Sequence, residues 1–197
     1  MALSFVMHEA NRDMPPPIGD WLTQHQKDAH FFLENLRGAE FHWFFIQAVN
    51  ALEHDLYIPA VSSLFNGVEA TLRVTLQQIA DPHVPQAPSP YRVLSNRLIL
   101  DAHAHGMPVE KLAFAGESNF FEKLQSEKPA RVDVEIVRLR NDICHGNVFE
   151  FINRELGEGN HFFTPECLRD LAASLLEISK QWALALGKFR HERFHEY

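Results

Sequence analysis

Apolar residues recur along most of the chain at intervals of three and four, the spacing that lines up one face of an α-helix. The first such run is Trp21, Leu22, Ala29, Phe32, Leu33 and Leu36, with Asp20 standing where an N-cap belongs. Gly38 punctuates it. The stretch from Ala39 to Leu56 follows, rich in aromatics at Phe41, Trp43, Phe44 and Phe45. These two stretches form either one bent helix or a pair. Pro59 suits the first turn of the next helix, which runs through Leu64, Phe65, Val68, Leu72 and Leu76 to Ile79. Pro82, Pro85, Pro88 and Pro90 then exclude helix and central strand, so Asp81 to Pro90 is a loop.

Helical spacing returns from Tyr91 to His105, and Met107 to Pro129 holds one or two short helices, including Phe120–Leu124. From Ala130 the positions Val132, Ile136, Leu139, Ile143, Val148 and Ile152 predict one long helix. Glu155 to Asn160 reads as a loop. Thr164, Pro165 and Glu166 supply the N-cap, first position and acidic first turn of a last helix. That helix passes through Leu168, Leu171, Leu175, Ile178, Trp182 and Leu186. Short β-branched runs such as Val132-Asp133-Val134 sit inside longer helical patterns, and no repeat of fixed period occurs. The fold class expected is all-α, a bundle of about five to seven helices.

A chain of 197 residues, 46% of them hydrophobic, suits one domain with a true core. Residues 1–18 read as a flexible N-terminal arm, stiffened by Pro15-Pro16-Pro17, and residues 19–197 as a single helical domain. No apolar run reaches the length of roughly eighteen residues that a membrane span needs. Met1 to Met14 carries His8, Glu9, Asn11 and Asp13 and lacks the pattern of a signal peptide. The two cysteines, Cys144 and Cys167, then read as free thiols of a reducing compartment, and a cytoplasmic location with no membrane association is expected.

The net charge of -8 has the wrong sign for a protein that coats nucleic acid indiscriminately. The charge is uneven: residues 1–91 balance at -6, residues 92–140 at +1 and residues 141–197 at -3. An anion site is therefore expected in the middle segment, around Arg92, Arg97, Lys123, Lys128, Arg131, Arg138 and Arg140; a mixed solvated face would have the same composition.

The chemistry-bearing stretch is Arg140-Asn141-Asp142-Ile143-Cys144-His145. Histidine gives and takes a proton near neutrality. Arginine stays charged and grips phosphate through two parallel hydrogen bonds. Together they suffice to deprotonate a ribose 2′-hydroxyl, stabilise a phosphorane-like transition state and protonate the leaving oxygen. The spacing alone is not selective. An Arg followed after four to six intervening residues by a His occurs six times, at Arg37/His42, Arg97/His103, Arg138/His145, Arg140/His145, Arg154/His161 and Arg190/His195. What sets Arg140/His145 apart is Asn141 after the Arg and Gly146 after the His, late in an amphipathic helix.

The pattern Arg140-Asn141-x-x-x-His145-Gly146 resembles the signature of the HEPN superfamily, an all-helical family rich in RNase toxins, abortive-infection proteins and other RNA-processing or nucleotide-binding modules. The stretch Ala60-Val61-Ser62-Ser63-Leu64-Phe65-Asn66-Gly67-Val68-Glu69-Ala70-Thr71-Leu72-Arg73 resembles the early helix of these domains, which often carries a mid-helix Glu. The likeness covers residues 40–190, but its specific part is the motif and the surroundings of Glu69. It implies a HEPN-like helical bundle, a homodimer, acting on RNA as a metal-independent endoribonuclease of toxin or phage-defence type, with an antitoxin or regulatory protein as a further partner. Arg140, Asn141 and His145 would be catalytic, and Arg138, Glu69 and Asn66 would contact substrate. No cofactor and no metal is expected. The alternative is a non-catalytic HEPN-like interaction or nucleotide-binding module.

Geometry constrains the motif. At about 100° per residue, Arg140 and His145 lie about 140° apart on an ideal helix. Convergence therefore requires the reach of Arg140, a bend near Gly146, or a second copy of the chain. Asn141 and His145 are i,i+4 neighbours, so Asn141 is placed to orient the imidazole or bind substrate; Arg138 and Asp142 share that spacing and suit a surface ion pair. The same residues also suit a structural polar network, with Arg140 tied to an acid or a helix-end carbonyl and His145 satisfied by Asn141. For Glu69 a helix-bridging salt bridge competes with a catalytic role. On a helix, the rings of His103 and His105 diverge by about 200°, which disfavours a metal site. Cys144 reads as a buried structural thiol, and the Phe41–Phe45 aromatics as core or dimer contact.

Overall fold

One helix ends at Leu36 and the next begins at His42, so the first two apolar stretches are a pair of helices rather than one bent helix. Gly38 lies between them: a Cβ there would run into the Phe41 ring, and the Gly38 carbonyl lies 2.8 Å from His42 Nδ1. The computed structural model describes residues 23–36, 38, 41–81, 93–152 and 162–194. The expected N-terminal arm, Asp20 and Trp21, the proline-rich segment after Asp81, Arg92, the loop over 155–160 and His195 lie outside those residues.

Among the described residues the fold is all-α, with no strand. The helices are α1 (Gln24–Leu36), α2 (His42–Glu53), α3 (Tyr57–Ala80), α4 (Asn96–Ala104), α5 (Phe120–Gln125), α6 (Glu135–Cys144) and α7 (Arg169–Phe194). Short 3-10 turns occupy Val109–Leu112, Val148–Phe151 and Pro165–Leu168. The last of these holds Pro165 and Glu166 behind Thr164, so the expected start of the final helix is a tight turn that leads into α7.

Helix α3 is the centre. It packs against α2, α4, α6 and α7, and buries Val61, Leu64, Phe65, Val68, Leu72 and Leu76 among others. Each such side chain, fully removed from water, contributes about 1.5–3 kcal/mol of transfer free energy. The aromatic cluster of α2 divides: Phe41 and Phe45 are fully buried, while Trp43 and Phe44 keep 58% and 37% of their surface exposed. Phe45 stacks on Phe32 of α1 with ring centroids 4.7 Å apart and lies over Gly67 of α3, where a Cβ would come within 2.8 Å of the ring.

Helix α7 closes the bundle against α1 and α3. Trp182, Leu175 and Leu186 are fully buried beneath it. Its buried Arg190 donates from Nη1 to Thr75 Oγ1 and to Gln78 Oε1, both at 2.8 Å, and lies between the Phe41 and Phe194 rings. Lys180 pairs with the largely buried Asp28 of α1 at 2.8 Å. No helix among the described residues is long and apolar enough to cross a membrane.

Gly187 of α7 lets the helix come up against the Asn35 carbonyl of α1, which occupies the space a Cβ would need. Gly187→Ala should therefore push α7 from α1 and lower stability by about 1–3 kcal/mol, despite the better helix propensity of Ala. Chemical denaturation of the two proteins checks this; an alanine variant as stable as the parent would contradict the packing.

Candidate functional site

Helix α6 is launched by a polar staple. Asn96, the first residue of α4 and 3% exposed, donates from Nδ2 to the carbonyls of Lys123 and Val132, each at 2.9 Å. Its Oδ1 accepts the Val134 N–H at 3.1 Å. Ser126 Oγ accepts the Val132 N–H at 2.9 Å. Glu117 Oε1 accepts the Glu135 N–H at 2.8 Å and pairs with Lys123 Nζ at 2.9 Å, which removes Lys123 from the expected set of free cations. The backbone of 131–134 is thereby held out of helix, and α6 starts at Glu135.

At its other end α6 stops at Cys144, not near Ile152 as the apolar spacing suggests. Gly146 adopts a φ of 71°. Its N–H reaches the Ile143 carbonyl at 3.2 Å, and the Asn147 N–H reaches that of Asp142 at 2.8 Å. This paired closure is the Schellman stop, and it favours glycine at the left-handed position. Asn147 Nδ2 also binds Asp142 Oδ1 at 3.0 Å. Val148 and Ile152 keep the apolar rhythm but belong to the 3-10 turn beyond and its exit.

The motif residues part ways at this end. Arg140 points inward. Its Nη2 meets Glu69 Oε2 at 3.3 Å, with side-chain exposures of 15% and 13%, and its Nη1 donates to Asn141 Oδ1 at 3.2 Å. Arg140 Nε is buried without a hydrogen-bond partner. Glu69 also pairs through Oε1 with Arg73 Nη1 at 3.3 Å, and its Oε2 accepts the Leu94 N–H at 2.7 Å. Glu69 thus sits between two guanidiniums and links α3 to α6 and to the entry of α4. Arg73 is the member of this cluster that sequence reasoning passed over; its i,i+4 spacing from Glu69 was the available signal.

His145 is exposed at the α6 terminus, where its N–H bonds the Asn141 carbonyl at 2.9 Å. Its imidazole makes no hydrogen bond to a described residue. The Asn141 amide oxygen serves Arg140 instead. The structure therefore joins Arg140, Asn141 and Glu69 in one network and leaves His145 outside it. Asn66 lies one turn before Glu69 and is exposed. Arg138 is the surface pair its spacing suggested. It binds Glu135 through Nε at 3.0 Å and Nη2 at 2.6 Å, and Asp142 through Nη1 at 2.8 Å, so a phosphate would have to displace two carboxylates to reach it.

The remaining candidates separate. Cys144 is exposed rather than buried, because the helix ends on it. His105 Nδ1 turns back to the Asp101 carbonyl at 2.8 Å, while His103 tilts against Phe121 with ring centroids 4.9 Å apart. Among the described residues no three His, Cys, Asp or Glu side chains gather in a way that could hold a metal ion. No family model matches the chain, and no curated protein or solved structure matches it.

Two measurements test this electrostatic layout. Glu69→Gln removes the carboxylate that faces Arg140 in a largely buried place, so it should cost about 2–4 kcal/mol of folding stability in a urea titration; a loss within error of zero would contradict the hub. The Arg138 hydrogen bonds hold the Glu135 carboxyl below its ordinary value of 4.5. A carboxyl lowered by folding stabilises fully above its unfolded value and stops doing so as pH falls through the folded one. The stability gap between the parent and Glu135→Gln should therefore be open at neutral pH and close in acid; a gap independent of pH would contradict the pairing.

Proposed function

We propose that this chain is a HEPN-like helical bundle that cleaves RNA without a metal, an endoribonuclease of toxin or phage-defence type working as a homodimer in the cytoplasm. The observation that carries the reading is His145: a solvent-exposed imidazole, free of hydrogen bonds to described residues, on the turn that ends the motif helix. An acid–base group must be reachable and uncommitted. His145 would take the proton of a ribose 2′-hydroxyl, which attacks the adjacent phosphorus. The P–O5′ bond breaks, the leaving 5′-oxygen is protonated by an imidazolium, and a 2′,3′-cyclic phosphate remains. Since one histidine faces out and Arg140 faces in, the second copy of the motif in a dimer would supply the group opposite the first.

In this reading Arg140 stabilises the phosphorane-like charge through a guanidinium that Glu69 and Asn141 keep in one orientation. Its pairing is the cost: the phosphate must compete with Glu69 for the guanidinium, because the edge that carries Nε is buried. That same pairing favours a second reading, in which the Arg140–Glu69 bridge is purely structural and the domain is a non-catalytic interaction or nucleotide-binding module.

Incubation of single-stranded RNA with the purified chain in EDTA separates the two. Wild type should cleave, and His145→Ala should lose about 10²–10⁴-fold in rate while melting at the parent temperature. Arg140→Ala should lose cleavage and stability together. A wild type that cleaves none of a panel of RNAs, or cleavage that survives His145→Ala, would overturn the catalytic reading.

A further inference from the structure

The face formed by α4, α5 and the turn that follows α5 carries a groove of about 500 Å³, within the range of roughly 300–1,000 Å³ typical of ligand sites. Its walls bring Arg97 of α4 together with Lys128 and Arg131 of the turn, and Leu100 and Leu124 line it between them. Arg97 is far in sequence from Lys128 and Arg131, and the packing of α4 on α5 unites them. Arg97 and Lys128 are exposed and have no ion-pair partner among the described residues. Arg131 pairs with Asp133 at 3.1 Å, and Glu127 is the one acid on the lining.

The walls are also fixed relative to one another. Asn96, itself on the lining, binds the Lys123 carbonyl at the end of α5 and the Val132 carbonyl beyond the turn. Ser126 ties the two sides of the turn together, accepting the Val132 N–H at 2.9 Å and donating its hydroxyl proton to the Lys123 carbonyl at 2.6 Å. Arg97 thus projects from the residue after the staple, and Lys128 and Arg131 from the loop that the staple clasps. Such a pair of uncommitted cations beside the half-buried Leu100 suits a chain of phosphates with bases or sugars attached. On a molecule of net charge -8, it is a local place where a polyanion gains attraction.

We propose that this groove is a phosphodiester-binding track, in which Arg97 and Lys128 hold successive phosphates of a single-stranded RNA and the half-buried Leu100 supports a sugar or base. The identity of the strand rests on the RNA reading of the Arg140–His145 site; the groove's preference for a linear polyanion rests on its own cations. It lies on different elements from α6 and binds strand away from the scissile bond.

The test uses the full chain carrying His145→Ala, so that no cleavage disturbs binding, and a fluorescein-labelled oligouridylate followed by anisotropy across a salt series. Adding Arg97→Glu and Lys128→Glu should weaken binding at least tenfold at low salt. The slope of log affinity against log salt should fall by about 0.7 for each phosphate that the groove no longer holds. The neutral pair Arg97→Gln and Lys128→Gln should fall between, and all three proteins should melt alike because neither side chain has a structural partner. Affinity unchanged by the double charge reversal overturns the proposal. So does inorganic phosphate or uridine monophosphate binding as tightly as the strand, which would make the groove a small-anion pocket. The two readings fail separately. Groove-dependent binding by a chain whose wild type cleaves no RNA sinks the catalytic reading alone, whereas His145-dependent cleavage with groove-independent binding sinks the track alone.

Discussion

Helix α3 is covered by α2, α4, α6 and α7, and that coverage sets a condition on every polar group it buries. A charge taken out of water must be matched where it lies, or the fold loses several kcal/mol. Glu69 meets the condition with two guanidiniums and a backbone N–H from three different parts of the chain. Thr75 meets it by accepting from Arg190 of α7, and Thr71 by donating to the Gly67 carbonyl at 2.6 Å. The apolar face of α3 supplies the driving force, and these polar matches decide which neighbour sits at which height along it.

The same economy governs the other half of the molecule, where α4, α5 and α6 are short. Three side chains, Asn96, Ser126 and Glu117, use their polar atoms on backbone groups that no helix satisfies. The extended backbone before α6 is therefore held by side chains and not by a neighbouring strand. Two consequences follow from one staple: α6 begins at Glu135, and the turn bearing Lys128 and Arg131 is clasped beside Arg97. The motif helix and the cationic groove are thus built from a shared piece of scaffolding although they lie on different elements.

At the motif itself, chain direction and helix ending pull in opposite senses. Arg140 lies within α6, beside the buried Leu139, and its reach lets it meet Glu69 on α3. His145 falls on the C-cap, where the Schellman stop at Gly146 lifts the chain into solvent. A single chain offers a held guanidinium and a free imidazole, not a closed pair. That division is what gives a second protomer something to contribute in the catalytic reading, and what gives the structural reading its footing.

Much of the fold was legible in the residues. Period-three-and-four spacing identified α1, α2, α3, α4 and α7 because an amphipathic face must repeat at the helical pitch to reach a core. Pro59 marked a helix start by local chemistry alone, whereas α4 begins at Asn96 rather than near Tyr91, capped by Ser95, whose Oγ accepts the Leu98 N–H at 3.3 Å. Where spacing misled, at 130–152, the extended residues before α6 and the turn after it carry apolar side chains at helical intervals by coincidence. Gly146, visible in the sequence, was the true stop. Pairings across long separations were not legible, such as Glu69 with Arg140 and Asn96 with Val132; charge balance pointed to the middle segment, but only packing put Arg97 with Lys128 and Arg131 and set Lys123 and Arg138 apart in ion pairs. The sequence by itself determined an all-α chain with a chemically suggestive motif near the end of a helix. Only the tertiary structure decided that Arg140 is held inward and His145 left outward, because ion pairs and buried hydrogen bonds depend on which helices meet, and periodicity states only that a face is buried, not what it meets.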